Sequence, residues 1–204
     1  MIRARASVLA ALSLCALAAG AARAESVVRG RVALDLPGTT LADLGPVVVY
    51  VDGDGSAKPP AGPLPSVHQK DARFAPSFLA IAAGQDVAMP NDDRIFHNVF
   101  SYSKPNDFDL GLYASGESRT VPFRHPGVVK LYCSIHESMN GAIFVAPTPW
   151  FAVAAPDGSF ALRGVPAGRR RLRTWNEKLP DTEHAIDVPA GGELRLDVSL
   201  VQGE

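Results

Sequence analysis

The run Cys133-Ser134-Ile135-His136-Glu137-Ser138-Met139 places a thiol, an imidazole and a thioether within seven residues, directly after a strand-like segment. A second imidazole, His97, lies upstream on another strand-like segment. Two neutral imidazoles, one thiolate and a weak, long thioether contact make up the donor set of an electron-transfer copper site. In that reading Cys133 supplies the thiolate and His136 one imidazole, Met139 is the axial contact, and His97 comes from a neighbouring strand. Taken singly, each residue means little. A lone His is more often a surface or satisfied core residue, and Met139 alone reads as core. A Cys followed by a His three residues on and a Met three further, at a strand end, is far more restrictive. Zinc is disfavoured, because a thioether is a poor ligand for it. The expectation is one type 1 copper ion.

The elements that must hold these residues read as β. Glycine (18) and proline (17) recur every few residues and leave no room for a long helix. Apolar runs are short and often alternate, at 28–34, 47–51, 87–89, 96–100, 128–132, 143–145, 160–162, 172–175, 185–188 and 194–200. Turn signals such as Asp52-Gly53, Ala83-Gly84, Ser115-Gly116, Pro126-Gly127, Asp157-Gly158 and Gly191-Gly192 separate them. Many short strands at this spacing predict one or more β-sandwiches. A short helical turn is considered after Pro105. Pro/Gly-rich connectors at 55–65 and 146–149 mark two boundaries, and the block between them holds every candidate ligand.

Residues 1–24 have the pattern of a cleaved secretory leader: Arg3 and Arg5, an uncharged apolar stretch from Ala6 to Ala22, then Ala22-Arg23-Ala24 as the cleavage site. Cys15 is a poor lipidation site, since bulky Leu14 precedes it and apolar sequence continues past it. No other stretch approaches a membrane span in length. Loss of the leader removes three of 20 basic side chains and none of 21 acidic ones, leaving a net charge of about −4, which argues against a general nucleic-acid binder. Cys133 would then be the single Cys in an exported chain, without a partner for an internal disulfide. Its neighbours favour a metal ligand over an inert thiol or an intermolecular bridge. His68, His125 and His184 match no ligand position and read as surface residues.

With these residues in hand, the chain resembles the cupredoxins. Ile95-Phe96-His97-Asn98-Val99 looks like the segment carrying their first His ligand, and Tyr132 to Met139 looks like their ligand loop. The two-residue gap between His136 and Met139 is similar to that of amicyanins; plastocyanins and pseudoazurins have a longer one. The block from Phe74 to Val145 also resembles periplasmic cupredoxin-like proteins named for methylamine utilization, in Pro90-Asn91-Asp92-Asp93, His97-Asn98-Val99-Phe100-Ser101 and Leu110-Gly111-Leu112-Tyr113. The resemblance implies a Greek-key β-sandwich. It gives Asn98 the task of tying the ligand strands together and donating towards the Cys sulfur, where such donors tune the metal. It makes Tyr132 either a mark of an electron exit path or an ordinary strand aromatic.

The tail, with Asp157-Gly158-Ser159-Phe160-Ala161-Leu162 and Gly164-Val165-Pro166-Ala167-Gly168-Arg169, resembles a carboxypeptidase regulatory-like domain, a small prealbumin- or Ig-like sandwich. The segment from Gly30 to Tyr50 resembles that domain's first two strands. The expected layout is an all-β chain: leader 1–24, regulatory-like strands 25–64, cupredoxin 65–147, and the remaining regulatory-like strands 148–204. An extended cupredoxin with a separate C-terminal domain is the competing layout. Arg163, Arg169, Arg170, Arg171 and Arg173 form a basic cluster that would either steer an acidic redox partner or be a solvated strand face.

The expected function is that of an exported, periplasmic, monomeric one-electron carrier that docks transiently with redox proteins. The alternative is a periplasmic protein that buffers or delivers copper. An enzyme is disfavoured: no His-x-His pair for a second copper centre occurs, nor the paired Cys of a binuclear site, a Ser/His/Asp set or a Gly-rich phosphate loop. A structural sandwich with a vestigial site is the remaining reading.

Overall fold

The computed structural model describes residues 26–53 and 56–200; the expected leader lies outside the described residues. The fold is all-β. Among the described residues the strands are β1 (Ser26–Leu34), β2 (Val47–Val51), β3 (His68–Lys70), β4 (Arg73–Ala75), β5 (Phe78–Ala82), β6 (Asp86–Pro90), β7 (His97–Ser101), β8 (Phe108–Tyr113), β9 (Ser118–Pro122), β10 (Gly127–Tyr132), β11 (Asn140–Ala146), β12 (Phe151–Val153), β13 (Ser159–Val165), β14 (Gly168–Asn176), β15 (Thr182–Val188) and β16 (Gly192–Leu200). One helix, α1 (Leu41–Leu44), joins β1 to β2. No described helix is long and apolar enough to cross a membrane.

The middle of the chain forms a five-stranded sheet in the order β5-β11-β10-β7-β8, a β6–β9 pair and the β3–β4 hairpin. Val87, Met89, Val99, Phe123, Val129, Leu131 and Ile143 fill the core between them. The two ends of the chain meet in two further sheets, β13-β1-β16 and β12-β2-β14-β15. β1 lies parallel to β16 over its whole length, from Ser26↔Gly192 to Leu34↔Leu200, and antiparallel to β13 on its other edge. Val28, Val49, Leu162, Leu172 and Val198 fill this second core.

Two strands join the halves because both of their faces are apolar. In β2 every residue is buried. The period-two alternation of a strand sends Val47, Val49 and Val51 into the end-strand core, and Val48 and Tyr50 to the seam. In β11, Ile143 and Val145 enter the middle core while Phe144 and Ala146 face that seam. Trp175 of β14 stacks on Phe78 of β5 at a centroid distance of 5.8 Å and packs on Phe144 at 5.0 Å. A continuous apolar run marks a strand buried on both faces, as at 47–51 and 143–146.

Gly30 is the central residue of β1. A Cβ there would stand 1.7 Å from the Leu196 carbonyl oxygen, so only glycine lets β16 approach this closely. All ten runs expected as strands fall on strands, with Phe96 alone lying just ahead of β7. Six strands fall outside those runs. β3 and β9 are largely polar, and β4 and β12 are three residues each. β5 (Phe-Leu-Ala-Ile-Ala) and β8 (Phe-Asp-Leu-Gly-Leu-Tyr) are apolar stretches poor in the β-branched residues that mark a strand, with Ile81 alone between them. No helix follows Pro105. The chain makes a turn closed by Asn106 N–H to Ser103 O at 2.9 Å, the Asn106 side chain bonds His125 O at 2.8 Å, and β8 begins at Phe108. That tie leaves no length for a helical turn.

Candidate metal centre

His97 opens β7 and Cys133 immediately follows β10. Tyr132, the last residue of β10, stands opposite Phe100 of β7 in the ladder, so the sheet brings the two ligand-bearing segments side by side. The loop 133–139 then reverses tightly, with Met139 N–H donating to His136 O at 2.9 Å, and the chain returns in β11. This folding places Cys133 Sγ 3.7 Å from His97 Nδ1 and 3.9 Å from His136 Nδ1. All three ligand atoms lie within 4.8 Å of one another. With metal–nitrogen bonds of about 2.0 Å and metal–thiolate bonds of about 2.3 Å, donors around one ion stand about 3.5–3.7 Å apart. The three atoms therefore fit a single metal ion with only small adjustment. The two imidazole rings are tilted by 54° with centroids 4.9 Å apart.

His97 and Cys133 are buried and His136 is half-buried, so the cluster has one side towards solvent. Met139 is buried with Cys133 in the apolar core of the middle sandwich, at the far end of the loop. Asn98 Oδ1 accepts from both the amide and the hydroxyl of Ser134, at 2.8 and 2.9 Å, and so pins the ligand loop to β7. Tyr132 is exposed, and its ring lies 5.7 Å from that of Phe100, which in turn meets the strongly exposed Tyr102 at 5.2 Å. Beneath the site Tyr113, opposite His97 in the ladder, donates to Met89 O at 2.8 Å and accepts from Gln69 Nε2. Burial pushes its phenol up to about 12, and the Gln69 hydrogen bond only partly offsets this.

The sequence reading did not single out Asp93 by itself. Its Oδ2 lies 2.7 Å from His97 Nε2, the ring nitrogen away from Cys133. Burial raises the Asp93 carboxyl, but hydrogen bonds from the Ala72 amide, the His97 ring and the Asp71 amide outweigh it and hold the group below the usual carboxylate range. The only trace in the sequence is an Asp four residues before a His, a spacing far too common to be diagnostic. The other histidines lie apart from the cluster. His125 is exposed. His68 and His184 are half-buried rather than free on the surface: His68 bonds Asp92 and Ser66, and His184 bonds Thr182.

No protein-family model matches the chain, and no curated protein does. Solved structures do. A purple cupredoxin from Nitrosopumilus maritimus is 24% identical over 40% of this chain and 99% of its own, with a TM-score of 0.37. A copper-containing nitrite reductase from Thermus scotoductus SA-01 is 28% identical over 45% of this chain, with a TM-score of 0.40, and the chain spans only 26% of that protein. A Cu(I) form of amicyanin is 16% identical over 48% of this chain and 97% of its own, with a TM-score of 0.39. Each of these likenesses covers less than half of this chain.

Proposed function

We propose that this protein is an exported one-electron carrier holding one type 1 copper ion at His97, Cys133, His136 and, axially, Met139. The observation that carries the reading is the convergence of two imidazole Nδ1 atoms and one thiol on a point between two strands and a tight loop. That donor set suits copper, whose thiolate–imidazole coordination supports exchange of a single electron. The chain's own part is mechanical and dielectric. The sheet holds His97 and Cys133 in fixed relation, the Asn98–Ser134 bonds steady the loop, and the apolar core around Cys133 and Met139 keeps water from one side. A rigid donor set changes little between redox states. The half-buried His136 and the exposed Tyr132 mark the two edges through which an electron would pass to a docked redox protein.

In this reading the protein is a periplasmic monomer, not an enzyme. Residues 25–64 and 148–204 form one discontinuous regulatory-like sandwich, with the cupredoxin unit, 65–147, inserted between them. The pairing of β1 with β13 and β16, and of β2 with β12 and β14, supports the layout. Copper delivery is the second reading, and the half-buried His136 favours it to the extent that a partner could reach the metal there.

The test is a visible absorption and EPR titration of the 25–204 protein with Cu(II), beside Cys133→Ser. An intense thiolate-to-copper band that ascorbate bleaches and an oxidant restores, absent from the variant, is the expected result. A weak or Cys133-independent signal overturns the carrier reading. A normal band combined with fast loss of copper to an acceptor and slow electron exchange favours delivery.

A further inference from the structure

The carboxylate of Asp93 sits between two features that are far apart in sequence. On one side is the His97 ring. On the other is the turn of the β3–β4 hairpin, where Lys70 pairs with Arg73 across the two-residue loop Asp71-Ala72. Both loop residues are left-handed, with φ of 54° and 52°, and neither is glycine. Two-residue hairpin turns of this hand favour Asn-Gly or Asp-Gly, and an alanine with positive φ is strained. Asp93 offsets that strain. Its Oδ1 accepts from the Asp71 amide at 2.6 Å, and its Oδ2 from the Ala72 amide at 2.9 Å. The same Oδ2 faces His97 Nε2 at 2.7 Å. The Asp93 amide is held in turn by Asn91 Oδ1 at 3.0 Å, and Asn91 Nδ2 donates to Tyr113 O at 3.1 Å, beside His97 in the ladder.

We propose that Asp93 is a positioning residue for the metal centre, holding the proton of His97 on Nε2 so that bare Nδ1 faces Cys133, and itself clamped by the strained Asp71–Ala72 turn. A histidine ligand needs its second nitrogen occupied, and a carboxylate there fixes the tautomer and ring orientation and strengthens the imidazole as a donor. The inference rests on the copper reading for its redox consequence. The tautomer follows from the hydrogen bonds alone.

The experiment compares four proteins: wild type, Asp93→Asn, the turn variant Asp71→Asn/Ala72→Gly, and the combination of all three changes. The turn variant makes the loop self-sufficient, so the combination separates support of the turn from support of His97. Imidazole 15N shifts in metal-free protein report the His97 tautomer. Competition titrations with Cu(II) and Cu(I) and voltammetry report the loaded site. In wild type and the turn variant His97 is expected to carry its proton on Nε2, with equal copper affinity. Asp93→Asn, alone and in the turn background, is expected to give a mixed tautomer and Cu(II) binding about 10- to 100-fold weaker. Each tenfold loss not shared by Cu(I) raises the potential by about 59 mV. A wild-type His97 protonated on Nδ1 overturns the proposal whatever the metal does. So does an Asp93→Asn effect that disappears in the turn background, with affinity back within about twofold of wild type. Absence of a Cys133-dependent band in wild type overturns the copper reading instead, while the 15N shifts still decide the role of Asp93.

Discussion

The middle of the chain and its two joined ends are both β and both well packed, yet they treat buried polar groups differently. In the end strands these groups close the chain on itself. Ser26 donates to Pro189 O, Thr148 to Val51 O, Asn176 to Leu44 O and Pro46 O, and Thr174 meets Thr182. Each offsets the cost of burying its polar group, and all but the Thr174–Thr182 contact join residues 97 to 163 positions apart. In the middle strands, by contrast, His97 and Cys133 turn their reactive atoms towards each other and towards His136. Stability alone gives no reason to gather a thiol and two imidazoles at one point. The contrast teaches that burial of polar groups is not itself a sign of function; convergence of their donor atoms is. The basic cluster is a solvent-facing case: Arg163, Arg169 and Arg171 are exposed, and Arg170 and Arg173 are half-buried. Arg171 and Arg173 pair with Asp52 and Glu183, and Arg170 donates to Pro166 O and Ala167 O.

The largest expected effect is all-or-none. Cys133→Ser removes the thiolate and with it the intense visible band, while far-UV circular dichroism stays unchanged. A surviving band would break the comparison by moving the metal elsewhere. Next is Gly30→Ala. Its Cβ cannot fit against Leu196 O, so β1 and β16 must separate, at an expected cost of about 3 kcal/mol or more. Urea unfolding followed by tryptophan fluorescence checks this, because both tryptophans, Trp150 and Trp175, lie in the end-strand half. Leu172→Ala, a fully buried side chain of the same half, is expected to cost about 2–5 kcal/mol. The copper band should be unmoved in position at low denaturant. A shifted band would show that the end strands shape the site as well as support it.

Met139→Leu is smaller. The volume is nearly conserved, so stability should change by less than about 1.5 kcal/mol, the band should persist, and the potential measured by voltammetry should move if Met139 is the axial donor of the proposed site. An unchanged potential would remove Met139 from the ligand set. The smallest effect lies far from the site. Asp43 accepts from the hydroxyl and amide of Thr40 at 2.6 and 2.8 Å, and these bonds hold its carboxyl below the ordinary value. A lowered folded value stabilises above the unfolded carboxyl range, near pH 4, and that contribution is lost as the pH falls through the folded value. Asp43→Asn should therefore lower the urea midpoint slightly at neutral pH and match wild type in acid, once the pH has fallen through the lowered folded value. A difference that persists in acid would assign the loss to packing rather than charge.

Much of the strand pattern is legible because alternation and turn residues are local signals. β1, β2, β7, β10 and β11 carry branched or aromatic residues at the right period. β3 (His-Gln-Lys) carries none, and β9 (Ser-Arg-Thr-Val-Pro) has only Thr120 and Val121, side by side rather than at period two. They are strands because β4 and β6 offer them ladder partners, which is a tertiary fact. At the candidate site, the approach of Cys133 and His136 was legible from spacing on one loop, and that of His97 from its segment and its resemblance. Asp93 was not, because nothing in its neighbourhood tells that the tip of a hairpin more than twenty residues upstream needs an acceptor.

The sequence by itself determined the donor chemistry, the β character and the short loop that keeps Cys133, His136 and Met139 together, since each depends on residue type and nearby spacing. Only the tertiary structure decided that His97 Nδ1 meets Cys133 Sγ, that Asp93 holds the other face of the same ring, and that β1 runs parallel to β16. These are contacts between segments distant in the chain. They are selected by which apolar faces can be buried together, and that depends on the whole set of strands at once.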